Sequence, residues 1–320
     1  MIKYPKYILI LTAILISGFL GSQVNAQEIS ETEITFGSEY VFNIASTSAI
    51  SLAHLSSSKV IIAYNNGGGN FNQGASVVAN ISDNTISYGS EYVFNTASAD
   101  YVSVKMLSED KAIMVYQDSG NSNYGTVVIA NISGNTITFG SEYVFNTSLT
   151  EHTSATILSE NKFVIVYQDS EGGYKQGKAV VGEVSGSEIT FGSEYVFNGA
   201  GIDYVSAKML SENKFVITYQ DVGNNKYGAA VIANVSDTEI TFGLEYVFNP
   251  TMTNYISADS LSDSKFAIVY QDYGNNQYGA AVIANVSDTE ITFGLEYVFN
   301  PTMTNYISAD SLSDSKFAIV

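Results

Sequence analysis

From residue 34 onward the chain alternates short apolar runs with clusters of Gly, Ser, Asn and Asp. Over residues 100–146 four runs follow one another: A (101–107), B (111–117), C (124–132) and D (136–145). Ser108-Glu109-Asp110, residues 118–123 and Ser133-Gly134-Asn135 separate them. β-Branched and aromatic residues fill the runs, turn formers bound them, and no stretch sustains a 3.6-residue period, so each run predicts a β-strand. B and C are continuously apolar, as in Phe163-Val-Ile-Val-Tyr167 and residues 229–233, which predicts strands covered on both faces. D alternates: Ile34, Phe36, Tyr40 and Phe42 share one parity, Thr35, Glu39 and Asn43 the other. That pattern suits an outer strand with one wet face, bent by a bulge at Gly37. A carries a serine in every copy (Ser51, Ser103, Ser154, Ser206, Ser257, Ser308), and small side chains suit an innermost strand.

The pattern repeats. The glycine of the Thr-Phe-Gly-Ser-Glu-Tyr-Val-Phe-Asn segment falls at Gly37, Gly89, Gly140, Gly192, Gly243 and Gly294, in steps of 52, 51, 52, 51 and 51 residues. Residues 227–269 and 278–320 are identical over 43 positions. About 50 residues per unit, four strands and short turns predict an all-β chain folded as a β-propeller of four-stranded blades. Sandwich domains would need about 100 residues per unit. The D-type run at residues 34–43 lacks a preceding A, B or C, while the last residues supply A and the start of B and stop in mid-strand at Val320. Six blades are expected, seven being the alternative, with the ring incomplete because the chain reads as truncated.

Residues 1–26 follow another pattern. Lys3 and Lys6 precede the apolar residues 7–20, and Val24-Asn25-Ala26 offers a small-x-small cleavage site before Gln27, which predicts a secretory signal peptide. The apolar stretch is short for a membrane span, so release rather than insertion is expected. The destination would be the extracellular space or cell surface, with the periplasm as alternative. Residues 27–33 form a short extension, and residues 34–320 the repeat domain. Cysteine is absent, so strand pairing and burial rather than disulfides must stabilise the domain. Arginine is also absent; the formal charge is −19, and removing the two lysines of the leader makes it −21. Such a surface repels phosphate backbones and argues against nucleic acid as a partner.

The Tyr-Gln-Asp-x-Gly-Asn-x-x-Tyr-Gly segment, together with the D-strand motif, resembles tandem propeller-like repeats of exported bacterial and phage-encoded surface proteins over residues 34–320. The resemblance implies a surface role in binding or display and no particular reaction. The Asp-Gly loop is also similar to the Asp-box of sialidase propellers. It lacks the tryptophan and follows strand B, and a chain without arginine cannot supply the three arginines that grip the sialidase substrate.

Alternating strand directions put the B–C and D–A loops of every blade on one face. That face collects Asp118, Asn121 and Tyr124; Asp221, Asn224 and Tyr227; Asp272, Asn275 and Tyr278; and, from the D–A side, Tyr101, Tyr204, Tyr255 and Tyr306. Carboxylates and amides bind hydroxyls and a tyrosine ring covers an apolar sugar face, so these are the ligand-binding candidates. The same residue types also cap tight loops and pack between blades. Two blades depart: Asn65-Asn66-Gly67-Gly68-Gly69 lacks the aspartate, and Gln176 replaces the tyrosine. Ca²⁺ would find oxygen ligands only at these loops, although Asp-x-Gly-Asn lacks several close carboxylates. His54 takes a strand-A position filled elsewhere by Met106 and Met209 and is expected to pack; His152 replaces a loop tyrosine and is expected to be exposed. No Cys or His-x-His spacing supports zinc, and no serine is paired with a base. Glu39, Glu91, Glu142, Glu194, Glu245 and Glu296 read as a solvated outer face. Three functions compete: a non-catalytic propeller binding a glycan or cell-surface protein, a structural display module, and a polysaccharide-active enzyme using channel carboxylates such as Asp259 and Asp310.

Overall fold

The computed structural model describes residues 38–68, 72–83, 85–313 and 316–320. The signal peptide, the 27–33 extension, Ile34 to Gly37 and Gly69 lie outside the described residues. The first sheet holds β1 (Thr47–Ser56), β2 (Lys59–Asn66), β3 (Gln73–Ser82) and an outer strand split into β4 (Thr85–Tyr88) and β5 (Tyr92–Asn95). The second holds β6 (Ala99–Ser108), β7 (Lys111–Asp118), β8 (Tyr124–Ser133) and β9 (Thr136–Asn146). The third holds β10 (Thr150–Ser159), β11 (Lys162–Asp169), β12 (Gln176–Ser185) and β13 (Glu188–Asn198). In the fourth, β14 (Ile202–Ser211), β15 (Lys214–Asp221) and β16 (Tyr227–Ser236) pair with the first half of β17 (Glu239–Ser262). The second half of β17 opens the fifth sheet, followed by β18 (Lys265–Asp272), β19 (Tyr278–Ser287), β20 (Glu290–Phe293) and β21 (Tyr297–Met303). A two-stranded sheet, β22 (Ala309–Ser313) and β23 (Lys316–Ile319), ends the described chain.

Each complete sheet runs A-B-C-D, every neighbour antiparallel. In the second sheet the expected strands fall within two residues of those observed. The D-strand bulge is present: Val128 pairs with Glu142 but Ala130 with Phe139, so Gly140 and its neighbour form the slip. The same slip recurs at Gly192 and Gly243. One expected D–A loop is absent as a loop, because β17 runs through Pro250 from one sheet into the next.

The core lies between sheets rather than within one central mass. One apolar layer joins Ile61, Ala63 and Phe94 of the first sheet to Val104, Met114 and Tyr116 of the second, and equivalent layers join each later pair. Both faces of B and C are thereby covered, as their unbroken apolar runs require. Phe215 and Phe266 are fully buried, and each such side chain contributes roughly 2–3 kcal/mol on leaving water. At the start of C, Gly125 lies so close to its own blade's Phe145 that a Cβ there would stand 2.4 Å from the ring. Phe42 packs against Tyr64 at 5.1 Å, as Phe94 does against Tyr116, so residues 38–43 occupy the position of an outer strand beside the first sheet. Radially stacked four-stranded sheets with cores between them make this a β-propeller. Among the described residues no helix is long and apolar enough to cross a membrane.

The A strands touch one another through their serines. Ser51 Oγ accepts the backbone N–H of Val104 (3.0 Å), Ser103 that of Ala155 (3.2 Å), and Ser154 that of Ala207 (3.1 Å). Ser206 and Ser257 do the same for Ala258 (3.3 Å) and Ala309 (3.1 Å). The recurring serine is thus a hydrogen-bonded rung between blades as well as a small residue.

Candidate functional site

The B–C and D–A loops do share a face, and hydrogen bonds tie them across blades. Asn95, ending the first sheet's outer strand, donates to Asp118 Oδ1 of the second at 2.8 Å. Asn249 donates likewise to Asp272 at 3.1 Å. Each aspartate also caps its own loop, accepting from Gly120 N (2.9 Å), Gly223 N (3.0 Å) or Gly274 N (3.0 Å). Asp118, Asp221 and Asp272 are only 4, 5 and 6 % exposed. These contacts make the aspartates loop braces with little surface for a ligand. Asn121 is exposed, whereas Asn224 and Asn275 are half-buried, as are Tyr124, Tyr227 and Tyr278 at the start of strand C. Among the described residues no group of three His, Cys, Asp or Glu side chains converges on a metal-sized space.

The D–A tyrosines come together. Ala49, Tyr101, His152, Tyr204, Tyr255 and Tyr306 have φ between 49° and 55°; the first five sit on strand-A bulges, and Tyr306 stands just before β22. A left-handed conformation in a non-glycine residue costs of order 1–3 kcal/mol, and here it recurs in every blade at the rim of the inner strands. Five of those positions carry rings in one row: Tyr101–His152 at 4.8 Å between centroids, His152–Tyr204 at 5.4 Å, Tyr204–Tyr255 at 5.2 Å and Tyr255–Tyr306 at 5.0 Å. The tilted geometries fall within the favourable range for aromatic pairs. Beside the rings stand Asp100, Glu151, Asp203, Asn254 and Asn305, one residue earlier in each blade. Glutamines of strand B steady this rim: Gln220 donates to Thr253 O (2.6 Å) and Asn254 Oδ1 (2.9 Å), and Gln271 to Thr304 O (2.7 Å) and Asn305 Oδ1 (2.8 Å).

His152 is therefore not an exposed loop residue but a half-buried member of the row, 3.5 Å from Asp203. Burial holds its imidazole below the ordinary value, against the pull of Asp203 and Glu151. Burial, with the carboxylates of Glu151, Asp100 and Asp203, pushes the Tyr101 hydroxyl up to about 12. His54 also departs from expectation. It does not pack; its side chain is 66 % exposed and lies 3.8 Å from Asp310.

The channel carries a separate charge cluster. Asp259 lies 3.2 Å from Lys208 and accepts the backbone N–H groups of Ser260 and Ser311. Burial opposes its ionisation, but Lys208 and these donors outweigh that and hold the carboxyl below the ordinary range. Asp310 is pushed upward by burial and by Asp259. Lys105 keeps some accessible surface in the channel, yet protein surrounds its ammonium; burial and Lys208 lower it to about 8.

The outer-strand glutamates are not merely solvated. Tyr64 donates to Glu91 (2.6 Å), Tyr116 to Glu142 (2.8 Å), Tyr219 to Glu245 (2.5 Å) and Tyr270 to Glu296 (2.7 Å), and Tyr167 donates to Glu194. Each glutamate accepts the hydrogen bond of a buried B-strand tyrosine hydroxyl across its own blade.

No protein-family model and no curated protein sequence matches the chain. Solved structures do. The fold superimposes on AofleA from Arthrobotrys oligospora with a TM-score of 0.54 at 8 % identity, covering 85 % of this chain and 78 % of that one. A mutant of the Aleuria aurantia lectin AAL, in complex with Fucα1-6GlcNAc, gives a TM-score of 0.55 at 13 % identity, covering 85 % and 87 %. A mutant of NanB sialidase from Streptococcus pneumoniae gives 0.47 at 13 % identity, covering 66 % of this chain and 36 % of that one. At these identities the likeness is one of fold, and it is to β-propellers, a lectin among them.

Proposed function

We propose that the protein is an exported, non-catalytic glycan-binding propeller that uses the face carrying the D–A and B–C loops. The observation that carries this reading is the row of rings at the inner rim. Five aromatic side chains stand on left-handed backbone, with a carboxylate or amide beside each. Backbone strain repeated at one edge points to a position held for use rather than for stability. An apolar platform with convergent polar groups suits a sugar, whose C–H face lies on the ring and whose hydroxyls reach the acceptors. A lectin of similar fold among the structural neighbours is consistent with this reading, and its ligand is not carried over. The channel carboxylates suit catalysis less well, since Asp259 is engaged by Lys208 and two backbone donors.

A glycan array probed with the full chain tests the reading. Retention of at least one glycan is expected, with Tyr204→Ala and Tyr255→Ala each weakening it by about tenfold or more. Tyr227→Ala and Tyr278→Ala test the outer part of the same face. Binding indifferent to all four substitutions would remove this face from consideration, and an array without any retained glycan would end the proposal.

A further inference from the structure

Five of the six left-handed residues present a ring, and the sixth, Ala49, presents a methyl group. The backbone is the same. Ala49 has φ 49°, and the register slip between Ser48 and Ser51 matches that between Asp100 and Ser103 in the next blade. The first blade therefore holds the conformation that elsewhere carries an aromatic side chain, without supplying one. An open hollow of about 360 Å³ lies there, lined by Ser48, Ala49, Asp100, Tyr101 and Gln117. Its volume falls within the range of small-molecule sites. Tyr101 stacks on His152 along the row, and among the described residues no ring covers it from the Ala49 side.

The polar groups around the gap also depart from the repeat. Asn65 stands where the other blades have Gln117, Gln168, Gln220 and Gln271. Being one methylene shorter, it donates to Ser98 Oγ (2.6 Å) where the glutamines reach a backbone carbonyl, while its bond to Asp100 Oδ1 (2.9 Å) matches those of Gln168, Gln220 and Gln271 to Asp203, Asn254 and Asn305. It is 2 % exposed, and its Oδ1 has no partner among the described residues. Asp100 accepts from Asn65 and from Ser98 Oγ (3.2 Å), which leaves lone pairs on both carboxylate oxygens. Tyr101 thus borders the gap together with the Asp100 carboxylate, the Gln117 amide and the Ser48 hydroxyl.

We propose that this gap is a subsite for a single pyranose residue, which takes the place of the missing ring. The sugar's C–H face lies against Tyr101, while its hydroxyls donate to Asp100 and exchange hydrogen bonds with Gln117 and Ser48. A wholly apolar ligand would bring no donors to the lone pairs that Asn65 and Ser98 leave free on Asp100, which disfavours that class. The subsite rests on the glycan-binding reading of this face, and it narrows that reading to one interblade position.

Titration of the full chain with a panel of methyl pyranosides, followed by calorimetry, tests the subsite. Tyrosine fluorescence gives a second readout, since the chain has no tryptophan. The expected result is binding of at least one pyranoside by the unaltered chain, weakened about tenfold or more by Ala49→Tyr, which completes the row and fills the gap. Ala49→Tyr is expected to keep the thermal midpoint, so lost binding would not reflect lost folding. Asp100→Asn, which removes the charged acceptor, should weaken binding severalfold as an independent variant. Undiminished affinity in both variants overturns the subsite while leaving glycan binding elsewhere on the face intact. Failure of every pyranoside at up to ~10 mM, alongside oligosaccharide capture on an array, likewise overturns only the subsite. Silence in both assays overturns the subsite and the glycan reading together.

Discussion

At the residue scale, the tyrosine–glutamate pairs explain two recurrences at once. A buried phenol needs an acceptor, and a glutamate on the wet side of strand D provides it without itself leaving water. Tyr116→Phe should lower stability by about 1–2 kcal/mol, read as a reduced urea midpoint with unchanged slope. Burial first, then the glutamate, raises the hydroxyls of Tyr64, Tyr116, Tyr167, Tyr219 and Tyr270 above their ordinary value of 10.0. The unfolded chain therefore loses these protons first. Their contribution is complete below about pH 10 and declines as pH rises from there towards the raised folded values, by ~1.4 kcal/mol per unit and tyrosine. Alkaline denaturation curves should show this decline, with one proton fewer in the slope for Tyr116→Phe. The glutamates were visible in the sequence, but their partners were not. Period-two alternation places Glu142 on an outward face, whereas its meeting with Tyr116 depends on the slip at Gly140 and on register across strand C.

At the element scale, strand A does two things that its composition only partly disclosed. Small residues there announced an inner position correctly. That each serine accepts the next blade's N–H could not be read from a single strand, because the donor lies about 52 residues away. Ser154→Ala would leave the buried Ala207 N–H without its acceptor and should cost about 1–3 kcal/mol, measurable by chemical denaturation. The bulge before the serine was equally hidden. Nothing in Asp100-Tyr101-Val102 signals a left-handed tyrosine, a conformation that side chains of this size rarely adopt. The loop aspartates are legible as turn formers, and the structure engages them in that way, with Asp118 and Asp272 also bracing neighbouring blades. The ring-bearing positions were legible only as loop tyrosines, and His152 was misplaced at the surface because its neighbours in space, Tyr101 and Tyr204, belong to other blades.

At the scale of the whole molecule, the period fixed the architecture because each blade can bury its B and C strands only against the next. Neighbours, rather than sequence, then set local exposure. Tyr255 and Tyr306 occupy identical 43-residue segments, yet Tyr255 is half-buried between two rings and Tyr306 is 76 % exposed. Charge is also collective. Lys105 faces Lys208, Asp259 and Asp310 around the channel, and its lowered value of about 8 marks a net penalty for its charge. Lys105→Met should raise the thermal midpoint at pH 7. Because the folded value lies below the unfolded 10.5, the gain should persist below about pH 8 and vanish as pH rises to 10.5. A gain constant across that interval would assign the effect to packing rather than charge.

Ring-proton NMR of the full chain during titration with an array-selected glycan asks whether the aromatic row is a sugar platform. The ring resonances of Tyr101, Tyr204 and Tyr255 should shift with saturable dependence on glycan concentration, while those of the core tyrosines Tyr116 and Tyr219 stay in place. Saturable binding that leaves every ring of the row unshifted would contradict that role.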